Sequence, residues 1–186
     1  MKKILSIAVL GLIIISNAMA VEEIEYETIK KNEVYEIRKY SDRLAIETLS
    51  TNQNSGFRKL FNYISGKNQK NEEIKMTVPV TQENKNGNMT MQFYLPSKFN
   101  KENTPNPSSP DVKVLNIKGG YYAVIKYSGR ITNKNFDKHK TILRANLIED
   151  KIKIIGPAIQ AIYNGPFTLP ILRRNETMFH VDWKQK

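Results

Sequence analysis

Apolar residues recur along the chain at two different periods, which predict strands in some segments and helices in others. The clearest period of two covers residues 89–95, where every second side chain is apolar, and it predicts a strand with one buried face. A spacing of i, i+3, i+4 and i+7 predicts an amphipathic helix over Ser55–Ser65. Its apolar positions are Phe57, Leu60, Phe61 and Ile64. A second helix is predicted over Asn133–Ile148. Its apolar face carries Phe136, Leu143 and Leu147.

The predicted elements occur twice in the same order, as two strands, one helix and two further strands. In the first half the strands are predicted at 34–38, 43–49, 74–80 and 89–95. In the second half they are predicted at 112–117, 121–127, 153–163 and 177–183. Turn-forming residues at Asn84–Asn88 predict a hairpin between the last two strands of the first half. Residues 97–110 contain three prolines and no apolar period, so they are predicted to link the halves.

Corresponding residues in the two halves keep a nearly constant separation, which indicates an internal repeat. Phe57 and Phe136 are 79 residues apart, and Pro79 and Pro157 are 78 apart. Two amphipathic helices can both bury their apolar faces if they pack on one antiparallel sheet. The pattern therefore predicts an α+β fold from duplicated units, as a distorted eight-stranded antiparallel sheet or barrel with two helices and pseudo-twofold symmetry.

The first 20 residues have the pattern of a secretory signal peptide. Lys2 and Lys3 are positively charged, residues 4–16 are apolar but too short to span a bilayer, and Ala18-Met19-Ala20 is a small-residue cleavage site. The alternative interpretation is an uncleaved membrane anchor. We predict a mature domain of residues 21–186, located in the periplasm or outside the cell. Because the chain has no cysteine, we expect its core rather than disulfides to stabilise it.

The net charge of the chain is strongly positive, at +11, and falls to +9 without the first 20 residues. Such a charge favours an anionic partner, for example an anionic small molecule or a membrane surface. The lysines are dispersed and form no basic stripe with interleaved aromatic residues. We therefore expect no nucleic-acid binding, only weak binding to membrane surfaces, and a monomer.

The sequence offers little of the chemistry that enzymes use. It has no cysteine, no Gly-x-Ser-x-Gly string, no glycine-rich phosphate loop and only two histidines, which are not at metal-ligand spacing. Its acidic residues show no arrangement that would bring a pair of carboxylates together in a cleft. We expect a protein that is not an enzyme and holds no metal site of its own.

Six short strings occur in order along the chain. They are Phe61–Asn68, Lys75–Val80, Phe93–Lys98, Ile125–Arg130, Tyr163–Pro166 and Leu172–Glu176. This ordered set resembles the SOUL family of haem-binding proteins over about residues 24–183. The resemblance implies a distorted antiparallel barrel with two long helices. It also implies that the protein binds haem or a related tetrapyrrole without a covalent bond, for carriage or buffering.

The same resemblance implies a candidate site on the first helix. One branch of the family is similar at Tyr35–Tyr40 but has an axial histidine where this chain has Lys39. Another branch binds tetrapyrrole in an apolar groove on the first helix, with basic residues for the propionates. The aligned positions hold Asn54, Asn62 and Leu169, none of them basic. Cations nearby in sequence are Arg58, Lys59, Lys67, Arg173 and Arg174. The candidate binding residues are Phe57, Arg58, Leu60, Phe61, Arg173 and Arg174.

These candidates also have structural interpretations. The apolar residues of the first helix could pack on the sheet, and we expect this of Phe61 and Ile64. Arg174 and Glu176 could fasten the long connection of the second half to the sheet by hydrogen bonds and an ion pair. We expect this fastening role rather than contact with a propionate.

The two histidines are the conventional nitrogen ligands available for haem iron. His139 lies at the apolar face of the second helix and is the better candidate for an axial ligand. The alternative is a boundary histidine with a backbone or water partner. His180 shares a strand face with Met178 and Asp182, which we expect to be the outward face.

The leading hypothesis is therefore an exported, non-enzymatic binding protein for haem or a related tetrapyrrole. The alternative is a small-molecule effector-binding or protein-interaction module, with the same duplicated fold and a non-porphyrin ligand. Bacterial effector-binding domains have a similar duplicated architecture, which is why the fold alone does not decide between the two hypotheses.

Overall fold

The computed structural model describes residues 21–85 and 88–184. The predicted signal peptide at 1–20 and the centre of the predicted hairpin turn, Asn86-Gly87, lie outside the described residues. The described part of the chain forms two helices and a nine-stranded antiparallel sheet, which confirms the α+β prediction. The sheet is open rather than closed into a barrel, because its two outer strands do not pair with each other.

The elements follow one another along the chain with short connections. The first seven strands and the first helix are β1 (Glu22–Glu23), β2 (Glu27–Lys31), β3 (Glu36–Tyr40), β4 (Arg43–Ser50), α1 (Gln53–Ile64), β5 (Thr77–Val78), β6 (Val80–Lys85) and β7 (Asn88–Tyr94). The remaining elements are β8 (Val112–Ile117), β9 (Gly120–Tyr127), α2 (Asn133–Glu149), β10 (Lys153–Ile162) and β11 (Asn175–Asp182). A short 3₁₀ turn, Pro170–Leu172, precedes β11.

The order of the strands shows the predicted internal symmetry. The sheet runs β2-β3-β9-β11-β10-β6-β7-β4-β8. The counterparts in the two halves are β3 and β8, β4 and β9, β6 and β10, and β7 and β11. If β2 is left out, the two members of each pair lie at equal distances from opposite edges of the sheet. The pseudo-twofold prediction is therefore confirmed, and eight of the nine strands belong to the repeat. The remaining strand of the sheet, β2, was not predicted because its residues are mostly charged and only Ile29 packs on the core.

The helix α1 begins where an asparagine side chain caps it. The side chain of Asn52 accepts a hydrogen bond from the Ser55 backbone N–H at 2.9 Å, which satisfies a free donor of the first turn. The helix therefore starts two residues before the predicted Ser55. Leu60 and Ile64 are buried against β4 and β7, in a cluster with Ile46, Met91 and Phe93.

The helix α2 is built in the same way. The Thr132 side chain accepts a hydrogen bond from the Asn135 backbone N–H at 3.2 Å, so a polar side chain caps this helix too. Leu143 and Leu147 are fully buried against β9 and β11. The predicted bounds, Asn133–Ile148, differ from the observed ones by a single residue at the end.

One predicted strand is wrong in its position. The segment 74–80 was expected to form the hairpin with residues 89–95, but the strand that pairs with β7 is β6, which begins at Val80. Proline has no backbone N–H for a sheet ladder, so Pro79 separates β6 from the short strand β5. Ile74 instead closes the end of α1, where its N–H donates to the Ile64 carbonyl at 2.8 Å.

The two faces of the sheet differ in what covers them. Both helices pack on one face, and we call the other the helix-free face. This second face has its own cluster, formed by Tyr40, Tyr122, Val124, Ala161 and Met178. His180 lies on this helix-free face, which was expected to be outward. That expectation was wrong, because Met178 is 4% exposed and His180 is half-buried. No helix within the described residues is long and apolar enough to cross a membrane.

Candidate functional site

An exposed pair of aromatic rings lies along α1. The rings of Phe57 and Phe61 stack with their centroids 5.9 Å apart and an interplanar angle of 14°. Phe57 is also held edge-on by Phe93 of β7 at 5.2 Å. Phe57 is 37% and Phe61 is 47% exposed. We call these two side chains the aromatic strip, and they present an apolar surface to solvent in a fixed orientation.

The other candidates on α1 lie on either side of this strip. Leu60 is fully buried in the core below the helix, so it supports the strip and is not available to a ligand. Arg58 is exposed, and at about 100° per residue it lies about 60° around the helix from Phe61. The expectation that Phe61 packs on the sheet was wrong, whereas Ile64 is buried as expected. The strip is therefore apolar, and Arg58 beside it forms no ion pair with any residue in the described part of the chain.

The second helix lacks such a strip, although it is the repeat of the first. Phe136 corresponds to Phe57, but Lys140 occupies the position of Phe61. The Lys140 ammonium lies 5.5 Å from the centre of the Phe136 ring and covers its face. The two halves therefore share a fold but differ in the surface that their helices present.

His139, the candidate axial ligand, is half-buried on α2. Its Nδ1 lies 2.8 Å from the carbonyl oxygen of Asn135, and its ring stacks on Tyr127 at a centroid distance of 3.8 Å. If Nδ1 donates to that carbonyl, Nε2 keeps the lone pair that a metal ion would need. Among the described residues, His139 contacts Asn135 and Tyr127 and not the aromatic strip, which is on the other helix. Its geometry matches the boundary histidine of the structural alternative.

The two candidate arginines lie in the long connection between β10 and β11. Arg173 donates to the carbonyl oxygens of Thr168 at 2.8 Å and Pro166 at 2.6 Å, so it folds the connection on itself. Arg174 forms ion pairs with Glu23 at 2.8 Å and Glu176 at 2.9 Å. This is the expected fastening of the connection to the sheet. The apolar side chains of the same connection are exposed: Phe167, Leu169, Ile171 and Leu172.

The carboxylate of Glu176 is the centre of a buried ionic network. It is fully buried and accepts hydrogen bonds from Arg38 at 2.7 and 3.0 Å, from Arg174 at 2.9 Å and from the Tyr163 hydroxyl at 2.9 Å. Burial alone would raise the pKa of Glu176, but the bonds and charges of the two arginines outweigh burial and hold it below its usual range. Sequence reasoning found Arg174 as a partner and missed Arg38.

Comparison with known protein families shows which family the chain belongs to. A family model described as SOUL heme-binding protein matches residues 21–180. The chain belongs to the SOUL family. A relative from mouse, Heme-binding protein 2, is 29% identical over 157 residues, which cover 76% of this chain and 75% of the relative. The human Heme-binding protein 2 is 28% identical with the same coverage.

Solved structures resemble the fold at much lower identity. The EcmrR C-terminal domain superposes with a TM-score of 0.60 and 10% identity, covering 84% of this chain and 98% of the domain. A protein from Listeria innocua that is titled a hydrolase has a TM-score of 0.57 and 9% identity, covering 83% of this chain and 94% of that chain. These likenesses establish the duplicated fold and nothing about the ligand.

The strings that mark this chain as a SOUL protein have structural roles here. Arg38 comes from the string Tyr35–Tyr40 and Glu176 ends the string Leu172–Glu176, and the two side chains meet in the buried network. These two segments therefore build a fold-stabilising centre. Of the residues in the aromatic strip, Phe61 also belongs to a family string, Phe61–Asn68. Among the described residues, no group of three or more His, Asp or Glu side chains is placed to hold a metal ion.

Proposed function

We propose that this SOUL protein binds haem or a related tetrapyrrole, without a covalent bond, at the aromatic strip of α1. The observation that carries the proposal is the stacked and exposed pair Phe57 and Phe61, held in place by Phe93. A tetrapyrrole is a flat apolar disc with carboxylates at one edge, and a rigid aromatic surface is suited to its face. The match to the SOUL heme-binding protein family supports this ligand class.

The cation beside the strip supplies the second requirement of such a ligand. We assign the propionates to Arg58, which is exposed and forms no ion pair with another described residue. Arg173 already donates to two carbonyl oxygens of the long connection, and Arg174 already donates to Glu23 and Glu176. His139 is on the other helix and stacks on Tyr127, so we propose that it does not coordinate the iron. The protein would bind and release the ligand, and no catalytic step is assigned to it.

A haemin titration followed by the Soret band tests the proposal. We expect a spectral shift and saturation with the wild type. The double variant Phe57→Ala/Phe61→Ala should bind roughly tenfold more weakly, since partly burying two phenylalanine rings is worth about 1.4 kcal/mol or more. The matched control is Ile148→Ala, which removes an exposed apolar side chain, 68% accessible, from α2. His139→Ala should leave the Soret band unchanged.

Two results would contradict the proposal. One is a haemin spectrum identical to that with a control protein of equal net charge. The other is an equal loss of affinity in the strip variant and the Ile148→Ala control, which would show that the strip has no special part in binding.

We further propose that the protein works outside the cytoplasm, as a monomeric carrier or buffer. This rests on the sequence pattern of residues 1–20. Mass spectrometry of the protein recovered from the periplasm or the medium should give a chain beginning at Val21. Recovery of the full-length chain in the membrane fraction would support the uncleaved anchor instead.

A further inference from the structure

A cavity lies on the helix-free face, between the two halves of the sheet. Its volume is about 150 Å³, and its walls include Arg43 and Tyr94 from the first half and Tyr122 and His180 from the second. Pockets for drug-sized ligands begin at about 300 Å³, whereas a single water needs only about 15 Å³. The cavity therefore suits a small organic group and is too small for a tetrapyrrole.

The guanidinium of Arg43 gives this cavity a positive charge. Its central carbon lies 4.4 Å from the ring centre of Tyr40, 5.0 Å from that of Tyr94 and 5.6 Å from that of Tyr122. Its Nε and Nη1 atoms are buried and have no hydrogen-bond partner among the described residues. A buried charged donor without a partner is costly. The arginines of the Glu176 network, in contrast, are paired with carboxylates.

The cavity that holds Arg43 is also lined by two neutral hydrogen-bonding groups, Tyr122 and His180, and by the acidic Glu83. Burial raises the pKa of Tyr122 against the opposing effect of Arg43, so the phenol keeps its proton at neutral pH. Burial and the charge of Arg43 lower the pKa of His180, so its imidazole is uncharged. The Glu83 side chain also lines the cavity and already has an interaction partner. The Glu83 side chain opposes each negative charge that a ligand brings, so the single Arg43 can offset one carboxylate better than two.

The backbone around the cavity is shaped to fit the His180 ring. A methyl group at Gly120 would lie 2.6 Å from His180 Nε2, and one at Gly156 would lie 3.3 Å from His180 Cβ. The absence of a side chain at Gly120 therefore lets the imidazole approach the backbone of β9 closely. There it stacks on Tyr122, with the ring centroids 4.8 Å apart and 15° between the planes.

We propose that this cavity binds a small organic monocarboxylate. The ligand carboxylate pairs with the Arg43 guanidinium and accepts a hydrogen bond from the Tyr122 hydroxyl, while its apolar body lies against the tyrosine and histidine rings. The site is on the opposite face of the sheet from the aromatic strip. It therefore does not depend on the proposed haem binding, and either proposal can fail without the other.

The two histidines allow a direct test by NMR, because each imidazole gives its own signals. Benzoate is titrated into the wild-type protein, and the signals are assigned with His139→Gln. We expect saturable shifts of the His180 signals, since this ring lines the cavity, and no shift of those of His139 on α2. Benzamide has nearly the same shape without the charge and should produce no shift at equal concentration.

Variants of Arg43 test the role of the charge. Arg43→Gln should weaken benzoate binding at least tenfold, because a hydrogen bond to a charged group is lost, and Arg43→Lys should retain part of it. The matched control is Arg144→Gln on α2, whose guanidinium also lies over an aromatic ring, that of Phe179 at 4.9 Å. Equal shifts with benzamide, or a shift of His139 alone, would overturn the proposal. The comparison of benzoate with benzamide uses only the wild-type protein, so it remains a test even if Arg43→Gln unfolds.

Discussion

The buried carboxylate of Glu176 should be one of the most sensitive positions for the stability of this protein. Glu176→Gln preserves the shape of the side chain but removes the charge that faces Arg38 and Arg174. Arg38 is 1% exposed, so its guanidinium cannot turn to water when the carboxylate is lost. Removing one partner of a buried ion pair typically costs about 3–5 kcal/mol. We expect the lower end, about 3 kcal/mol, because Glu36 remains paired with Arg38.

Urea unfolding gives the measurement. With an m-value of about 2 kcal/mol per molar urea for a domain of this size, the midpoint of the variant should fall by about 1.5 M. The control is Glu23→Gln, which removes the outer carboxylate bound to the same Arg174 but is 38% exposed. Its cost should stay below about 1 kcal/mol, as for other partly exposed ion pairs. A midpoint shift below about 0.5 M for Glu176→Gln, at an unchanged m-value, would refute the reasoning.

The pH dependence of the same pair of proteins gives an independent check. Because the pKa of Glu176 is lowered in the folded state, its contribution is present above its unfolded pKa of about 4.3 and is lost as pH falls through the lower folded value. The stability difference between the wild type and Glu176→Gln should therefore be constant near neutral pH and narrow below about pH 4. A difference that does not change on acidification would mean that charge is not the cause.

Two further predictions concern the surface and the helix-free face. The tip of the long connection is apolar and exposed, since Phe167 is 98% and Ile171 is 79% accessible. Because the chain is also positively charged, we expect weak, salt-sensitive co-sedimentation with anionic vesicles. Phe167→Ser/Ile171→Ser should lower the bound fraction further. Burial and Arg43 lower the pKa of His180, so its NMR titration should have a midpoint below about 6.5, and Arg43→Gln should raise it. Protonation then favours the unfolded chain, so His180 contributes a loss of stability as pH falls below about 6.5.

Most of the fold could be predicted because its elements are set by local patterns. The helix α2 was predicted to within one residue, since its apolar spacing is visible in the sequence. The position of β6 was not predicted, because the apolar run ends at Val80 and the rest of the strand is polar. The strand β2 was missed for the same reason. Polar strands at edges or in half-covered sheets give no apolar alternation to detect.

The candidate site could be predicted only in part, because exposure depends on tertiary structure. The helical spacing placed Phe57, Leu60 and Phe61 on one side of α1, but it could not tell that Leu60 is in the core while Phe61 is at the edge. The meeting of Arg38 with Glu176 joins residues 138 positions apart. Such a contact follows from strand pairing, which the sequence of one chain does not determine.

The internal repeat supports the proposed place of the ligand site. Some residues that packing requires recur in both halves, as the buried Ile64 of α1 and its counterpart Leu143 of α2 do. If packing required the aromatic strip, a matching strip would therefore be expected on α2 as well. The strip occurs on α1 and has no match on α2. Its counterpart on α2 has Lys140 at the position of Phe61 and His139 at that of Leu60. Two exposed, stacked phenylalanines on one helix cost solubility and contribute little to the core. We propose that a ligand binding there explains their presence on α1 alone, and a loss of haemin affinity in Phe57→Ala/Phe61→Ala would support this.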